Sequence, residues 1–372
     1  MLIGARRVRA AALAVALTLL AGCHSSDPGK VVGGTMAVSL TPSAPSEQPT
    51  GTCVDLNDAP VAVYGTVLSG FGFLTPDLRG LVGGDARETA HGKVVTRHGF
   101  QLKIQESSIG VASLGRNLVV LYETGRLFTL STATCMQTGR RDLSTADLGV
   151  PAGSDLLYDG LARTDGPTTR TWAYGRYSPP GQQGYSGFAV ELDAALHVLR
   201  KFSDRRVIQD LWTDSTGEPL MLLHDGTIRS PDTEADVVRP TYPHAADNLS
   251  VSRGTTGVWI TGGQDGIGFL RLPSGKVIEL PRGSFPTTVL AHRTEAVVLL
   301  RSRAEAWFVT DRGAVTKVAL GTFPVDALTV GNEVIVAALR ADRAWVLDWQ
   351  TKKIIATFAV GPGPGRLLPL AS

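Results

Sequence analysis

The chain has 372 residues, of which 43% are hydrophobic and 19% are charged, and its formal net charge is +2. This length and composition support one large folded core or two ordinary ones. The balanced charge argues against nucleic-acid binding and against a basic membrane-binding face.

Residues 1–22 are predicted to be a secretory signal. Three arginines, Arg6, Arg7 and Arg9, precede the run AALAVALTLLAG, which is too short for a stable membrane span. The next step, Leu20-Ala21-Gly22-Cys23, resembles the bacterial lipobox, in which the cysteine is diacylated and becomes the first mature residue. The resemblance implies a lipid anchor at Cys23, and two acyl chains hold a domain stably at a membrane. An ordinary signal peptide with a chance cysteine is the alternative.

Residues 23–50 are rich in Ser, Thr, Pro and Gly, and they lack a sustained apolar period. They are predicted to form a flexible tether to a folded domain at 51–372. Once Cys23 is assigned to lipid, Cys53 and Cys135 remain as a pair in an exported, oxidising setting. We predict a disulfide between them, and two unrelated buried thiols are the alternative.

Beyond the tether, short apolar runs of strand length alternate with turn residues, and no long segment has helical periodicity. Each run places turn signals at the spacing of antiparallel hairpins. The residues that open the third strand of each unit are separated by 62, 39, 42, 38 and 38 positions; they are Gly125, Gly187, Gly226, Gly268, Ala306 and Ala344. A period near 40 with four strands per unit predicts an all-β fold, the β-propeller.

Seven four-stranded blades account for the whole domain, and six or eight are the alternatives. The separation of 62 predicts one unit plus an insertion, placed at 163–186, and a hairpin at 93–105 supplies a further unit. The stretches at 59–73 and 361–371 both have the pattern of strands. We therefore predict that strands from the two ends of the domain complete one shared blade and close the ring.

The last units repeat each other at an offset of 38, which aligns Phe285 with Phe323, Glu295 with Glu333 and Trp307 with Trp345. Repetition predicts structural roles: the Phe-Pro pairs begin inner strands, and the tryptophans pack between blades. The final stretch, VLDWQTKKIIATFAVGPGPGRLLPLA, resembles the repeat of YVTN-type and related bacterial propellers. The resemblance covers 284–372 but lacks the Tyr-Val-Thr-Asn stretch itself. It implies a propeller fold and an envelope location, where such folds serve many functions.

The stretch TRTWAYGRY places four large side chains on one side of a strand by alternation: Arg170, Trp172, Tyr174 and Arg176. Such residues are favoured at binding hot spots, so they form a candidate binding surface together with Tyr185. In the interpretation we prefer, the two aromatic residues fill a layer between blades and the arginines lie over them. The following loop, SPPGQQGYS, is then the recognition surface.

The seven histidines form no HExxH motif and no close His/Cys metal spacing. His244, His292 and Glu295 invite comparison with metal-dependent propeller lyases, but histidines in turns and outer strands explain the same residues, and this is the interpretation we prefer. No nucleophile elbow, phosphate loop or calcium loop appears. We expect no cofactor and no metal.

The sequence as a whole predicts a monomeric, lipid-anchored, extracytoplasmic propeller that acts as a binding or scaffolding module in the bacterial cell envelope, with an envelope protein or glycan as its partner. The alternative is a propeller enzyme of lyase or lactonase type that acts on a small lactone, sugar or cyclic peptide.

Overall fold

The computed structural model describes residues 59–65, 70–79, 85–89, 92–96, 102–103, 108–132, 137–164, 170–213, 219–238, 249–264, 266–339, 343–360 and 364–370. Within these residues, seven four-stranded antiparallel sheets form the blades of a β-propeller, as the repeats predict. No helix in these ranges has the length and apolar character needed to cross a bilayer.

Six blades are built from consecutive strands, ordered from the inner to the outer strand. Blade 1 contains β6 (Gly110–Leu114), β7 (Asn117–Leu121), β8 (Arg126–Ser131) and β9 (Gln137–Asp142). Blade 2 contains β10 (Asp155–Thr164), β11 (Arg170–Ser178), β12 (Ser186–Leu192) and β13 (Val198–Asp204). Blade 3 contains β14 (Ile208–Thr213), β15 (Pro219–Leu223), β16 (Ile228–Arg229) and β17 (Asp236–Val238).

The remaining consecutive blades follow the same plan. Blade 4 contains β18 (Ser250–Gly254), β19 (Gly257–Gln264), β20 (Ile267–Arg271) and β21 (Val277–Leu280). Blade 5 contains β22 (Pro286–His292), β23 (Glu295–Leu300), β24 (Glu305–Thr310) and β25 (Val315–Ala319). Blade 6 contains β26 (Pro324–Val330), β27 (Glu333–Ala338), β28 (Arg343–Asp348) and β29 (Lys353–Ala359).

The seventh sheet, the closing blade, joins both ends of the domain. Its inner strand is β30 (Pro364–Pro369), followed by β1 (Val61–Gly65), β2 (Gly70–Phe73) and β5 (Leu102–Lys103). The antiparallel register between β1 and β30 runs from Val61 opposite Pro369 to Gly65 opposite Pro364. The predicted closure by strands from both ends is therefore confirmed.

The hairpin predicted at 93–105 is wrong, because its two halves belong to different sheets. β4 (Gly92–Thr96) pairs with β3 (Asp85–Thr89), whereas β5 pairs with β2. The β3–β4 pair is thus an insertion between the third and outer strands of the closing blade. Alternating apolar residues show that a segment is a strand, but they do not identify its partner.

The insertion predicted at 163–186 is also wrong. This stretch contains β11, the regular second strand of blade 2, whose Cα atoms pair with both β10 and β12. Part of the extra length lies before the blade, where the short helix α1 (Thr145–Leu148) is closed by a Ser144–Asp147 capping box. The strands β10 and β11, of 10 and 9 residues, add further length.

Seven buried apolar clusters fill the seven gaps between neighbouring blades, one cluster to each gap. Trp307 lies in the layer between blades 4 and 5, and Trp345 lies in the layer between blades 5 and 6, as the repeat predicts. Each blade buries both faces against its neighbours, so removing one strand exposes apolar surface on two sides.

The repeated glutamates also have equivalent structural roles. Glu295 of blade 5 pairs with Lys352, which follows the third strand of blade 6, and Glu333 of blade 6 pairs with Arg79, which follows the third strand of the closing blade. These ion pairs link consecutive blades on one face of the ring.

Candidate functional site

The seven inner strands run from one face of the ring to the other. We name the two faces of the ring by the direction of these strands. The strands β22 and β26 begin at the entry face, at Pro286 and Pro324, and end at the exit face, at His292 and Val330. The loops between second and third strands also lie at the entry face. The arrangement follows from the antiparallel order within each blade.

A bulge recurs in five inner strands, near the start of four of them and in the middle of the longer β10. At each bulge one residue of the inner strand is skipped in the pairing, and the next residue stands at an equivalent position in all five strands. We name it the channel position, because the inner strands surround the central channel of the propeller. The five residues are Gly160, Asp210, Thr288, Asp326 and Arg366. Bulges redirect side chains and are frequent near functional sites. The propeller therefore carries a ring of equivalent residues just inside the entry face.

Asp326 at this position ties neighbouring blades together. Its Oδ1 accepts a hydrogen bond from the backbone N–H of Ala327, and its Oδ2 accepts one from Leu367 N–H of the closing blade. Ser250 of blade 4 acts in the same way, because its hydroxyl oxygen accepts a hydrogen bond from Val289 N–H of blade 5. Both side chains satisfy backbone donors on the open edge of the next inner strand.

Asp210 meets Tyr174 at the same level. The tyrosine hydroxyl donates to Asp210 Oδ1 at 3.4 Å, and Leu211 N–H donates to the same oxygen at 2.9 Å. Gly160 makes this approach possible, because a Cβ at Gly160 would lie 2.7 Å from the Tyr174 hydroxyl oxygen. The missing side chain lets a residue of the second strand reach the channel.

Arg366 supplies the cation of the channel. It interacts electrostatically with Asp326, Tyr174 and Asp210, yet its side chain keeps solvent-accessible surface. Burial raises the pKa of Asp210 and of Asp326, and the positive charge of Arg366 opposes both shifts. The pKa of Tyr174 is raised by burial and by the nearby carboxylate of Asp210.

A cavity of about 320 Å³ opens at the entry face between blades 4 and 5. One wall consists of backbone at Gly263, Gly266 and Gly268, and the other includes Phe285 and Arg301. Phe285 is 53% exposed, which is unusual for a large apolar side chain. The cavity thus combines an aromatic ring, a guanidinium group and accessible backbone.

The backbone of Phe285 has a φ of 44°, in the left-handed region that non-glycine residues rarely adopt. Arg301 N–H donates to the carbonyl of Phe285 at 3.1 Å, and Ser302 N–H donates to the carbonyl of Ser284 at 3.2 Å. These hydrogen bonds attach the loop of the 3₁₀ helix Arg301–Arg303 to the start of β22. Phe323, the equivalent residue of the next blade, is half-buried and has no positive φ.

The predicted binding residues of blade 2 divide into buried and accessible groups. Trp172 and Tyr174 lie in the layer between blades 2 and 3, so neither is available to a partner. Arg170 forms an ion pair with Glu191. Arg176 pairs with Asp159 at 2.8 Å and lies over the ring of Tyr185, which is 47% exposed at the entry face.

A second cavity of about 270 Å³ lies at the exit face around His292 and Trp349. The two rings stack with centroids 4.9 Å apart, and the Lys352 ammonium group lies over the Trp349 ring while pairing with Glu295. Burial, together with the nearby Arg293 and Lys352 charges, lowers the pKa of His292. The cluster acts as a clamp between blades 5 and 6.

The residues that the sequence analysis compared with a metal site are not brought together as a set of ligands among the described residues. His244 lies outside the described residues, while His292 and Glu295 belong to the exit-face clamp. Within the described ranges, no three His, Cys, Asp or Glu side chains are grouped so that they could hold a metal ion.

Cys23, Cys53 and Cys135 lie outside the described residues. The lipid anchor and the disulfide therefore stay predictions, as do the signal peptide at 1–22 and the tether at 23–50.

Sequence reasoning missed the channel residues Asp210, Asp326 and Arg366. A signal was present, because Asp326 and Arg366 each stand two residues after a proline that begins an inner strand. Blade-by-blade alignment of these prolines would have placed both side chains at one level of the ring.

The sequence matches no protein-family model and no curated protein. Similar solved structures include BBS1N in complex with ARL6DN, at 13% identity and a TM-score of 0.50, covering 71% of this chain and 85% of that one. The dihydro-heme d1 dehydrogenase NirN has 13% identity and a TM-score of 0.49, covering 88% and 67%. Virginiamycin B lyase from Staphylococcus aureus has 11% identity and a TM-score of 0.47, covering 67% and 83%. At these identities the likeness shows the fold alone.

Proposed function

We propose that this chain is a lipid-anchored, extracytoplasmic binding module that engages an envelope protein through the entry face. The observation that carries the proposal is Phe285, an exposed aromatic residue held in a strained backbone conformation beside a cavity. Strained residues concentrate at binding and active sites, where the surrounding structure maintains them. Here two backbone hydrogen bonds maintain the strain.

The distribution of exposed apolar residues supports the same face. Eight large apolar side chains are exposed among the described residues, and five of them lie on outer strands; these are Leu199, Val237, Val315, Ile354 and Ile355. The other three, Leu157, Tyr185 and Phe285, lie at the entry face on blades 2 and 5. A partner that covers the mouth of the ring would contact both blades.

The chemistry of this face fits a protein partner. Tyr and Arg are enriched at interface hot spots, and the entry face has an aromatic ring and a guanidinium group at two places: Phe285 and Arg301 line the same cavity, and Arg176 lies over the ring of Tyr185. Both arginines lie beside apolar surface, which favours desolvated contacts when a partner binds.

The test is capture of crosslinked partners from the native envelope with the tagged wild-type chain, Phe285→Ala and Ile355→Ala. Alanine keeps a Cβ at position 285, so the backbone strain is unchanged and only the ring is lost. Ile355 is a matched control, because it is exposed on an outer strand. We expect Phe285→Ala to weaken capture about 30-fold, the effect of a hot spot worth about 2 kcal/mol. Equal capture by all three proteins would contradict the proposal.

The anchor is tested separately. Cys23→Ser should move the protein from the detergent phase to the aqueous phase in a partition assay, because the substitution removes the acylated thiol. Unchanged partitioning would contradict lipidation. A mass measurement with and without reductant tests the Cys53–Cys135 disulfide. If the disulfide is present, the protein should gain the mass of two hydrogen atoms on reduction.

The sequence also left open an enzyme of lyase or lactonase type. No specific contact among the described residues favours it over the binding role, so the binding module is the function we propose.

A further inference from the structure

Among the residues that the structure describes, Arg366 is a cation without a direct partner. Among the described residues, no hydrogen bond and no ion pair within 4.0 Å involves its guanidinium group, although it interacts electrostatically with two carboxylates. Other arginines at the ring have direct partners, such as Arg163 with Ser113 and Arg176 with Asp159. Arg366 therefore keeps its five N–H donors available.

The position of Arg366 places this free capacity in the central channel. Arg366 is on the closing blade, and Asp210 is on blade 3, three blades away around the ring. The two residues occupy the same channel position, and their charges interact. An interaction between blades that are not neighbours has to pass across the opening. The Arg366 side chain is also exposed, so solutes of small size can reach it.

The two carboxylates of the channel differ in how their oxygens are used. Both oxygens of Asp326 accept backbone hydrogen bonds and hold the blades together. Asp210 uses only Oδ1, which receives Leu211 N–H and the Tyr174 hydroxyl. Within the described residues, Oδ2 of Asp210 has no hydrogen-bond partner, so it is free to accept a donor from a ligand.

A free guanidinium group and a free carboxylate oxygen define the ligand by charge. Guanidinium groups bind carboxylates in a planar, two-bonded geometry. At a pH above the raised pKa values of Asp210 and Asp326, both aspartates are ionised. The three side chains then carry a net charge of −1, so a simple anion would be repelled by the surplus carboxylate. A molecule with both a carboxylate and an ammonium group adds no net charge and satisfies both free groups.

We propose that the channel binds a small zwitterion of the amino-acid type, with its carboxylate on Arg366 and its ammonium group on Asp210 Oδ2. This site is separate from the Phe285 cavity and does not depend on the proposed protein partner.

Calorimetric titration of the purified full-length protein tests the proposal with four probes: glycine, L-alanine, acetate and methylammonium. The expected dissociation constant for glycine or L-alanine lies between about 10 µM and 10 mM, within the range open to a ligand of so few atoms. Acetate and methylammonium each satisfy one half of the site, and each should bind at least about 10-fold more weakly, a difference of about 1.4 kcal/mol. If neither glycine nor L-alanine binds at a ligand concentration of about 50 mM, the proposal is overturned.

Three variants assign the contacts. Arg366→Met should abolish binding of glycine and of acetate, whereas Asp210→Asn should lower glycine affinity about 10-fold and leave acetate binding equal or tighter. Arg312→Met removes the same charge at an exposed turn and should change neither. If Arg366→Met does not fold, the Asp210→Asn variant still tests the proposal. Equal loss of glycine and acetate binding in this variant, or no change in either, would contradict zwitterion binding. Phe285→Ala should leave amino-acid binding unchanged, which separates this site from the proposed function.

Discussion

Tyr64 and Arg366 are register partners on β1 and β30, across the seam where the two ends of the domain meet. The same strand that closes the ring therefore also carries the cation of the channel. On its other side, β30 is bound through Leu367 N–H to Asp326 of blade 6. Ring closure and the channel site consequently depend on the same six residues.

Deletion of residues 362–372 should cause aggregation or a large loss of stability. The deletion removes β30 with its buried Leu367 and Leu368, exposes the edge of β1 and uncovers the apolar residues that these leucines pack against on both sides. Burial of each such leucine contributes about 1.5 to 3 kcal/mol. Thermal unfolding measures the effect, and an unchanged melting temperature would show that β30 is not needed for closure.

Arg163→Met should destabilise the protein by about 2 to 3 kcal/mol, because charged hydrogen bonds within the ring are lost. Arg163 of blade 2 donates to Ser113 Oγ of blade 1 and to the carbonyl of Pro369 in the closing blade. It therefore links three consecutive blades across the seam. Arg126→Met is the control, since Arg126 forms an exposed pair with Asp142 worth at most about 1 kcal/mol. Equal urea midpoints for the two variants would contradict this role.

Asp210→Asn should change the pH dependence of stability. Because burial raises the native pKa of Asp210, the native state keeps a proton that the unfolded state has already lost. Wild-type stability should therefore contain a contribution that falls as pH rises from about 4 through the raised native pKa. The asparagine variant lacks this contribution, so its stability relative to wild type should increase over the same interval.

Urea unfolding of both proteins between pH 4 and pH 8 measures this difference. The other charged groups facing Asp210, namely Tyr174, Asp326 and Arg366, are present in both proteins. Parallel stability curves for the two proteins would show that the pKa of Asp210 is not raised.

Phe285→Gly should leave stability unchanged or raise it by up to about 2 kcal/mol. Glycine adopts a positive φ without strain, which relieves about 1 to 3 kcal/mol, while its greater unfolded-state freedom costs about 0.5 to 1 kcal/mol. Phe323→Gly, at the equivalent position of the next blade, should be destabilising, because that ring is half-buried and its backbone has no positive φ. A loss of stability at position 285 as large as that at 323 would contradict strain.

The spacing of the sequence repeats predicted those parts of the fold that depend on local sequence pattern. Strand length, turn spacing and the prolines that begin inner strands are written in contiguous residues, so blades 5 and 6 and the shared closing blade could be predicted. Trp307 and Trp345 could be placed between blades because both copies have the same surroundings. The errors at 93–105 and 163–186 arose where loops and inserted strands change the period.

The channel could not be predicted in the same way. Asp210 and Arg366 are far apart in sequence, and their charges interact only because the ring closes and a bulge precedes each residue at the channel position. The exposure of Phe285 was equally hidden, since Phe323 occurs in the same Phe-Pro step and is half-buried. Repetition identifies equivalent positions but not the copy that carries a function.

The most direct test of the binding role is photocrosslinking in the native envelope with a benzophenone amino acid at position 285, and at position 355 as the control. Both side chains are exposed, but only position 285 lies on the entry face. We predict a discrete covalent protein adduct from position 285 and none of that mass from position 355. No adduct from position 285, or the same adduct from both positions, would contradict an entry face that binds an envelope protein.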